Sequence, residues 1–454
     1  MGMSYVILIP GILCAFAIIR GGTRHAFLTV LIPVIAFLPS GYTLRLQHLP
    51  PVSFQDVTLL ALGIGMLLMD LPRWRFSQMD CWVLLFICTT AYSERLPWGT
   101  SGAFLTLITA ICQCWVPYMA GKLLVESPGM RMRTMERIAA VMALACLVSI
   151  PQFFLRVNLY NRFWNHFFPS QWAGIAEQVR WGFGRVEGPY GMAESAGMVL
   201  TISLLLALWL RRWRSPQPEA TGRLNRLLRH TKLLVFILAI TLFMSQSRGP
   251  WVGAIIAISI ASIGRARTPL RQAILVFGIG LMVAVPLYHF SKEYVNGPGA
   301  QSDPERQTAQ YRSEMFDNYV PIARQGGAWG WGNLFPRVGG QDSIDNEYLL
   351  VWLIQGYVGL AALTLIIVDS TLTLVYVGIV ARSAQTRHLA FSLLGIVAGI
   401  AVCIGTVALF CQAIELWFLV LGWAQAIRPA RAESVQPERQ SLREEQGTPM
   451  YLYT

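Results

Sequence analysis

Lysine is almost missing from this 454-residue chain: of 36 basic residues only Lys122, Lys232 and Lys292 are lysines. Charge of either sign is scarce, at 13% of residues, and no hydrophilic block is large enough to form a soluble domain. The six histidines (His25, His48, His166, His230, His289, His388) are scattered, without His-Glu-x-x-His or similar spacing, so no local motif calls for a metal or other cofactor. All eight cysteines (Cys14, Cys81, Cys88, Cys112, Cys114, Cys146, Cys403, Cys411) fall in or beside apolar segments, which leaves neither a disulfide framework nor a thiolate metal site. An internal repeat is also lacking, and with it the paired halves typical of many transporters.

What the chain has is apolar sequence. With 54% hydrophobic residues and a mean hydropathy of +0.49, it reads as an all-α, polytopic transmembrane helical bundle. Spans are expected at about 4–19, 26–40, 52–69, 81–92, 101–119, 138–155, 192–210, 233–244, 251–264, 270–290, 348–380, 389–410 and 412–427, giving about 12–13. The first is followed, not preceded, by Arg20 and Arg24 and has no small-x-small site, so it reads as an uncleaved span. Residues 1–427 then form one membrane-embedded domain with extracytoplasmic loops at 156–191 and 291–347. The tail 428–454, rich in Arg, Glu, Gln and Pro, reads as disordered and cytoplasmic.

Basic residues set the sidedness. Loops at 20–25, 70–80, 121–137, 211–232, 264–272 and 381–388 hold 20 Lys or Arg, seven of them in 211–232. The alternate loops at 41–53, 94–99, 156–189, 245–250 and 290–347 hold 12 although they are much longer, which places the first set in the cytoplasm. Topology and anionic membrane lipid account for most of the net charge of +12, so no nucleic acid partner is needed.

Four outward features ask for more than topology. Arg180-Trp-Gly-Phe-Gly-Arg185-Val-Glu-Gly-Pro-Tyr190 pairs guanidinium forks, suited to phosphate oxygens, with glycines that admit a ligand; the plain alternative is a re-entrant turn with snorkelling arginines. Ser245-Gln-Ser-Arg248-Gly-Pro-Trp251 sets a cation between two apolar runs, which favours an anionic partner for Arg248; otherwise it is an interfacial arginine capping a turn.

The third is the 291–347 stretch, read as lacking a sustained helical pattern and only partly helical. It holds Arg306, Arg312 and Arg324, with Arg312 favoured, ahead of Gly326-Gly-Ala-Trp-Gly-Trp-Gly332, a platform on which a sugar ring can stack; ordinary turn chemistry is the alternative. The fourth is Asp345-Asn346-Glu347, where Asp or Asn can cap the next helix and a carboxylate can take a proton from a sugar hydroxyl. Asp369 and Glu415 stand alone within apolar runs and are assigned structural or interhelical hydrogen-bonding roles.

The order Arg185-Val-Glu-Gly-Pro-Tyr, Ser245-Gln-Ser-Arg-Gly, Arg312, Gly330-Trp-Gly, Asp345-Asn-Glu-Tyr-Leu and Gly356-Tyr-Val-Gly-Leu resembles the O-antigen ligase and polymerase superfamily over roughly 100–430. The resemblance implies an inverting, metal-independent glycosyltransferase in the bacterial inner membrane. Its donor would be an undecaprenyl-diphosphate-linked oligosaccharide and its acceptor a glycan or lipid-glycan, at the outer face. Arg185 and Arg248 fall where family arginines meet the lipid diphosphate, with Arg180, Arg312 and Asn346 as further substrate contacts. Asp345 is the base that would activate the acceptor hydroxyl. It stands where lipid A-core ligases tend to carry a histidine, which leans the resemblance toward a polysaccharide polymerase or another relative. A flippase or transporter of the same lipid-linked glycans is the alternative from another class.

Overall fold

The computed structural model describes residues 2–45, 50–168, 171, 178–214, 230–296, 304–341 and 343–427. The expected tail 428–454 and most of the basic 211–232 linker lie outside the described residues. In chain order the helices are α1 (Ile9–Ala26), α2 (Ile32–Phe37), α3 (Phe54–Met69), α4 (Gln78–Ser93), α5 (Arg95–Ala110), α6 (Val116–Leu124), α7 (Met130–Leu155), α8 (Leu159–Phe167), α9 (Ala193–Trp213), α10 (Thr231–Met244), α11 (Arg248–Arg265), α12 (Pro269–Asn296), α13 (Pro304–Gln325), α14 (Glu347–Val380), α15 (Ala384–Cys403) and α16 (Gln412–Ala426). Two antiparallel strand pairs, β1 (Thr43–Leu44) with β2 (Val52–Ser53) and β3 (Val179–Arg180) with β4 (Phe183–Gly184), are the described sheet.

Among the described residues, six helical stretches are long and apolar enough to cross a membrane: Tyr5–Phe37, Arg95–Leu124, Met130–Leu155, Ala193–Trp213, Glu347–Val380 and Ala384–Cys403. Shorter apolar helices cover Phe54–Met69, Thr231–Met244 and Pro269–Met282. Several begin where the sequence offers a cap: Ser53 and Asp56 form a reciprocal capping box on α3, and Ser77 with Asp80 does the same on α4.

Small residues let helices touch. Gly253 of α11 lies against Gly399 and Cys403 of α15, and Gly264 against His388, so the two run antiparallel with backbones in near contact. On the other flank of α15, α14 is antiparallel too: the Tyr348 hydroxyl donates to the Ala401 carbonyl at 2.7 Å, and Phe391 lies against Gly378.

This packing sorts the connections onto two ends. At one, Trp213 donates to His388 (2.8 Å), Arg214 to Glu136 (2.8 Å) and Trp423 to Glu126 (2.6 Å), and Lys122 pairs with Asp80. At the other meet Ser245, Gly249, Glu347, Ile404 and Gln412. The two loop sets that charge separates in the sequence therefore lie at opposite ends of the bundle.

Three differences from the sequence reading follow from local physics. The stretch after 291 is more helical than its polarity implies: among the described side chains α13 buries Met315, Tyr319 and Ala323, at a spacing of four, against Phe335, Ile344, Leu349 and Leu353. The expected 389–410 span stops at Cys403, and residues 404–411 form a non-helical connection before α16. Finally α14 is interrupted at Gly356 (φ 69°), and residues 326–332 are the clamp on that break rather than an open platform.

There the amides of Tyr357 and Val358 donate to the Gly327 and Ala328 carbonyls at 3.2 and 3.1 Å, and Trp331 returns a bond to the Leu353 carbonyl at 2.9 Å. Gly330 (φ 71°) meets Gly356 so closely that a Cβ on either would overlap main-chain atoms of the other's segment. Nearby, the Glu94 carboxylate accepts the Asn333 amide at 2.8 Å. Burial raises the Glu94 pKa against the opposing pull of the Asn333 bonds.

Gly330→Ala is expected to lower stability by about 1–3 kcal/mol. Gly339→Ala, which adds its methyl to open space, is expected to be neutral. Thermal unfolding of the two detergent-solubilised variants beside the parent protein measures the difference.

Candidate functional site

The turn between α10 and α11 is built on a strained residue. Gln246 takes a left-handed backbone (φ 50°), unusual for a side chain of its size, and is held there from both sides. Its carbonyl accepts from Arg180 Nη1 at 2.7 Å, and its amide Nε2 donates to the Arg180 carbonyl at 3.1 Å. The β3–β4 hairpin that presents Arg180 turns through Trp181 and Gly182, both with positive φ, and the Phe183 ring stacks on Phe153 at 4.5 Å.

Arg185, just after this hairpin, is buried. Its Nε donates to the Ser245 carbonyl at 3.3 Å, Nη1 to the Gln178 side chain, and Nη2 to Glu194 at 2.5 Å in an ion pair. The next residues are pinned inside the bundle, where Gln152 Oε1 accepts the amides of Glu187 and Gly188 at 3.0 and 3.1 Å. Arg185 is thus an internal anchor, not an arginine snorkelling to the interface. Arg248 opens α11, and its side chain is exposed. Beside it Trp251 stacks on Phe243 at 5.1 Å, with Trp181 at 6.2 Å, an aromatic group suited to a membrane interface.

The second half of the site begins at Asn346. Its side chain accepts the Leu349 amide at 2.9 Å, capping α14, and its Nδ2 donates to the Gly405 carbonyl at 2.6 Å. Glu347 is tied to the same connection: its amide donates to the Ile404 carbonyl and its carboxylate accepts the Leu409 amide, both at 2.8 Å. Asp345 faces outward, bonded to Ser343 at 3.0 Å and 4.0 Å from Arg312 in a half-exposed ion pair. Arg312 Nε is enclosed without a hydrogen-bond partner among the described residues.

The 404–411 connection joins the halves. Cys403 Sγ donates to the Gly249 carbonyl at 3.4 Å, and Thr406 lies directly over Gly249. Ser195 donates to the Phe410 carbonyl at 3.0 Å, and Gln412 Nε2 to the carbonyls of Leu38 and Pro189 at 2.9 and 3.0 Å. Arg180, Arg185 and Arg248 are therefore gathered at one turn. Asp345 and Asn346 reach the same end across this connection.

Sequence reasoning missed Glu194, Gln246, Gln152 and all of 404–411. Only Gly405-Thr406 and Gln412 break the apolar run there, too weak a signal to separate a connection from a span. Of the two acids in apolar runs, Asp369 bonds only within its own helix, to Thr373 at 3.4 Å, and its Oδ2 is buried and unpartnered among the described residues, as is Glu415 Oε2. Arg306 has no described side chain. No group of three or more His, Cys, Asp or Glu placed to hold a metal occurs among the described residues.

Apolar spans packed in this way define a multi-pass helical membrane protein. Residues 233–364 match the O-Antigen ligase family, and the match supports the O-antigen ligase and polymerase superfamily. The matched segment contains Arg248, Arg312, Asp345 and Asn346 and leaves Arg180 and Arg185 outside it. Among curated proteins nothing matches the chain. The family description supports glycan transfer in general, with a lipid-linked glycan and an acceptor as partners.

Asn346→Ala removes a buried cap and the Gly405 bond together, so a loss of about 2 kcal/mol is expected. Asp345→Ala breaks only half-exposed contacts and should change stability by less than about 0.5 kcal/mol. Comparing the melting midpoints of these neighbours separates framework from candidate chemistry.

Proposed function

We propose that this chain is an inverting, metal-independent glycosyltransferase that transfers or polymerises glycan from undecaprenyl diphosphate onto an acceptor sugar. The reaction takes place at the outer face of the bacterial inner membrane. The observation that carries this reading is how the helices beginning at the arginine end are charged. α9, α14 and α16 each carry a glutamate in the first turn (Glu194, Glu347, Glu415), of which Glu194 is ion-paired to Arg185. α11 carries no acid there and opens with Arg248. An exposed guanidinium at a helix start that has no acid in its first turn suits a diphosphate.

In this reading Arg248 meets the diphosphate first and stabilises the charge that develops as it leaves. Arg185, ion-paired to Glu194, holds the Ser245–Arg248 turn in place, and Arg180 locks Gln246. Arg312 and Asn346 bind glycan or position the base. Asp345 takes the proton from the acceptor hydroxyl as its oxygen attacks the anomeric carbon from the face opposite the diphosphate, which inverts the centre.

The test is purified protein with undecaprenyl-diphosphate oligosaccharide, reading released lipid and elongated or transferred glycan. Arg248→Ala is expected to insert normally and give no detectable product. Asp345→Asn should retain donor binding with turnover lower by about 100-fold or more. Normal product from Arg248→Ala, or donor carried across proteoliposomes without any transfer, would overturn this reading, the second outcome in favour of a transporter.

A further inference from the structure

At the end of the bundle opposite Arg248, two cavities meet. The first is an apolar groove of about 120 Å³ between α3 and the helical run 111–124, lined by Leu60, Gly63, Ile64, Leu67, Trp115 and Met119 among others. It opens sideways: Leu60, Ile64 and Leu67 are each about half exposed or more on what would be the hydrocarbon face. One wall is a π-helical segment, Ile111–Trp115, a local bulge of the kind often found at functional positions. The second cavity, about 400 Å³, is polar and lined by Arg73, Arg75, Ser77, Lys122, Ser127 and Gln425 among others. Leu123 belongs to both walls, so the groove and the polar chamber lie side by side.

The charges of the chamber are unevenly matched. Lys122 is engaged by Asp80 at 2.5 Å and by Ser77 at 2.8 Å, Arg73 by Asp70 at 2.6 Å, and Glu126 by Arg131 at 2.9 Å. Among the described residues Arg75 has no such counter-ion, and its side chain is exposed. The Gln425 Nε2 donor is enclosed and has no acceptor among the described residues. One uncancelled guanidinium and one idle amide donor both call for an anionic oxygen. Trp74 and Trp115 meet edge-on at 6.3 Å where the groove gives way to the chamber, which is where indoles sit at a membrane–water boundary.

We propose that this pair of cavities is a binding site for an anionic glycerophospholipid. Its phosphate sits in the chamber against Arg75, Arg73 and Gln425, and the upper part of one acyl chain lies in the groove over Gly63 and Ile64. Charge selects the headgroup and the groove selects a lipid over a free anion. The site lies away from the arginine turn and does not depend on the transferase reading.

Native mass spectrometry of the full chain in detergent tests this with three ligands: dioleoyl phosphatidylglycerol, dioleoyl phosphatidylcholine and inorganic phosphate. Phosphatidylglycerol adducts are expected to survive activation that strips phosphatidylcholine. Arg75→Gln should weaken them about five-fold, the effect of one arginine at an anionic headgroup. Ile64→Trp, which fills the groove from its exposed side and leaves the chamber intact, should weaken them as well. Equal retention of both lipids, or adducts unchanged by either substitution, overturns the proposal. Displacement of the lipid by millimolar phosphate, with Ile64→Trp inert, overturns it in favour of a free-anion site.

Discussion

Wherever a helix breaks inside a bilayer, the amides and carbonyls it releases have no water to bond, and the protein itself must supply partners. The break at Gly356 is answered by carbonyls of Gly327 and Ala328, and the gap between α15 and α16 by Asn346, Glu347 and Ser195. These answers bring the separate polar segments together. Arg180, Arg185, Arg248 and Asp345 occupy one end because the main chain beneath them needs the same few partners.

The bundle of apolar helices and the grouping of its basic loops were legible in the sequence, because hydropathy and loop charge are local and additive, but of the expected 12–13 spans six stand among the described residues as stretches long and apolar enough to cross. The glycine-tryptophan run 326–332 was visible too, but its use was not: nothing near Gly330 announces a partner at Gly356. Helix α13 was obscured by its polarity, since three inward residues, Met315, Tyr319 and Ala323, carry its burial. The 404–411 connection was invisible for the opposite reason, being apolar in composition and held largely through backbone atoms. Arg185 could be picked out as unusual, but its neutralisation by Glu194 and its seating on the Ser245 carbonyl are tertiary facts.

The two ends handle charge differently. One holds matched pairs, Lys122 with Asp80, Arg131 with Glu126 and Arg214 with Glu136, beside Arg75, which has no counter-ion among the described residues. At the other, arginines lean on carbonyl oxygens, Arg156 on Gly182, Arg180 on Gln246 and Arg185 in part on Ser245. Ion pairing cancels a guanidinium charge, whereas a carbonyl only aims it.

Gln412 grips Leu38 and Pro189 through a single amide group, and residues 404–411 seat the starts of α11 and α14. A ribosome delivers that stretch after every segment it joins. The arginine end therefore cannot be completed before residues 404–412 have emerged, and a nascent protein with only its earlier helices inserted holds the parts of the site without their assembly.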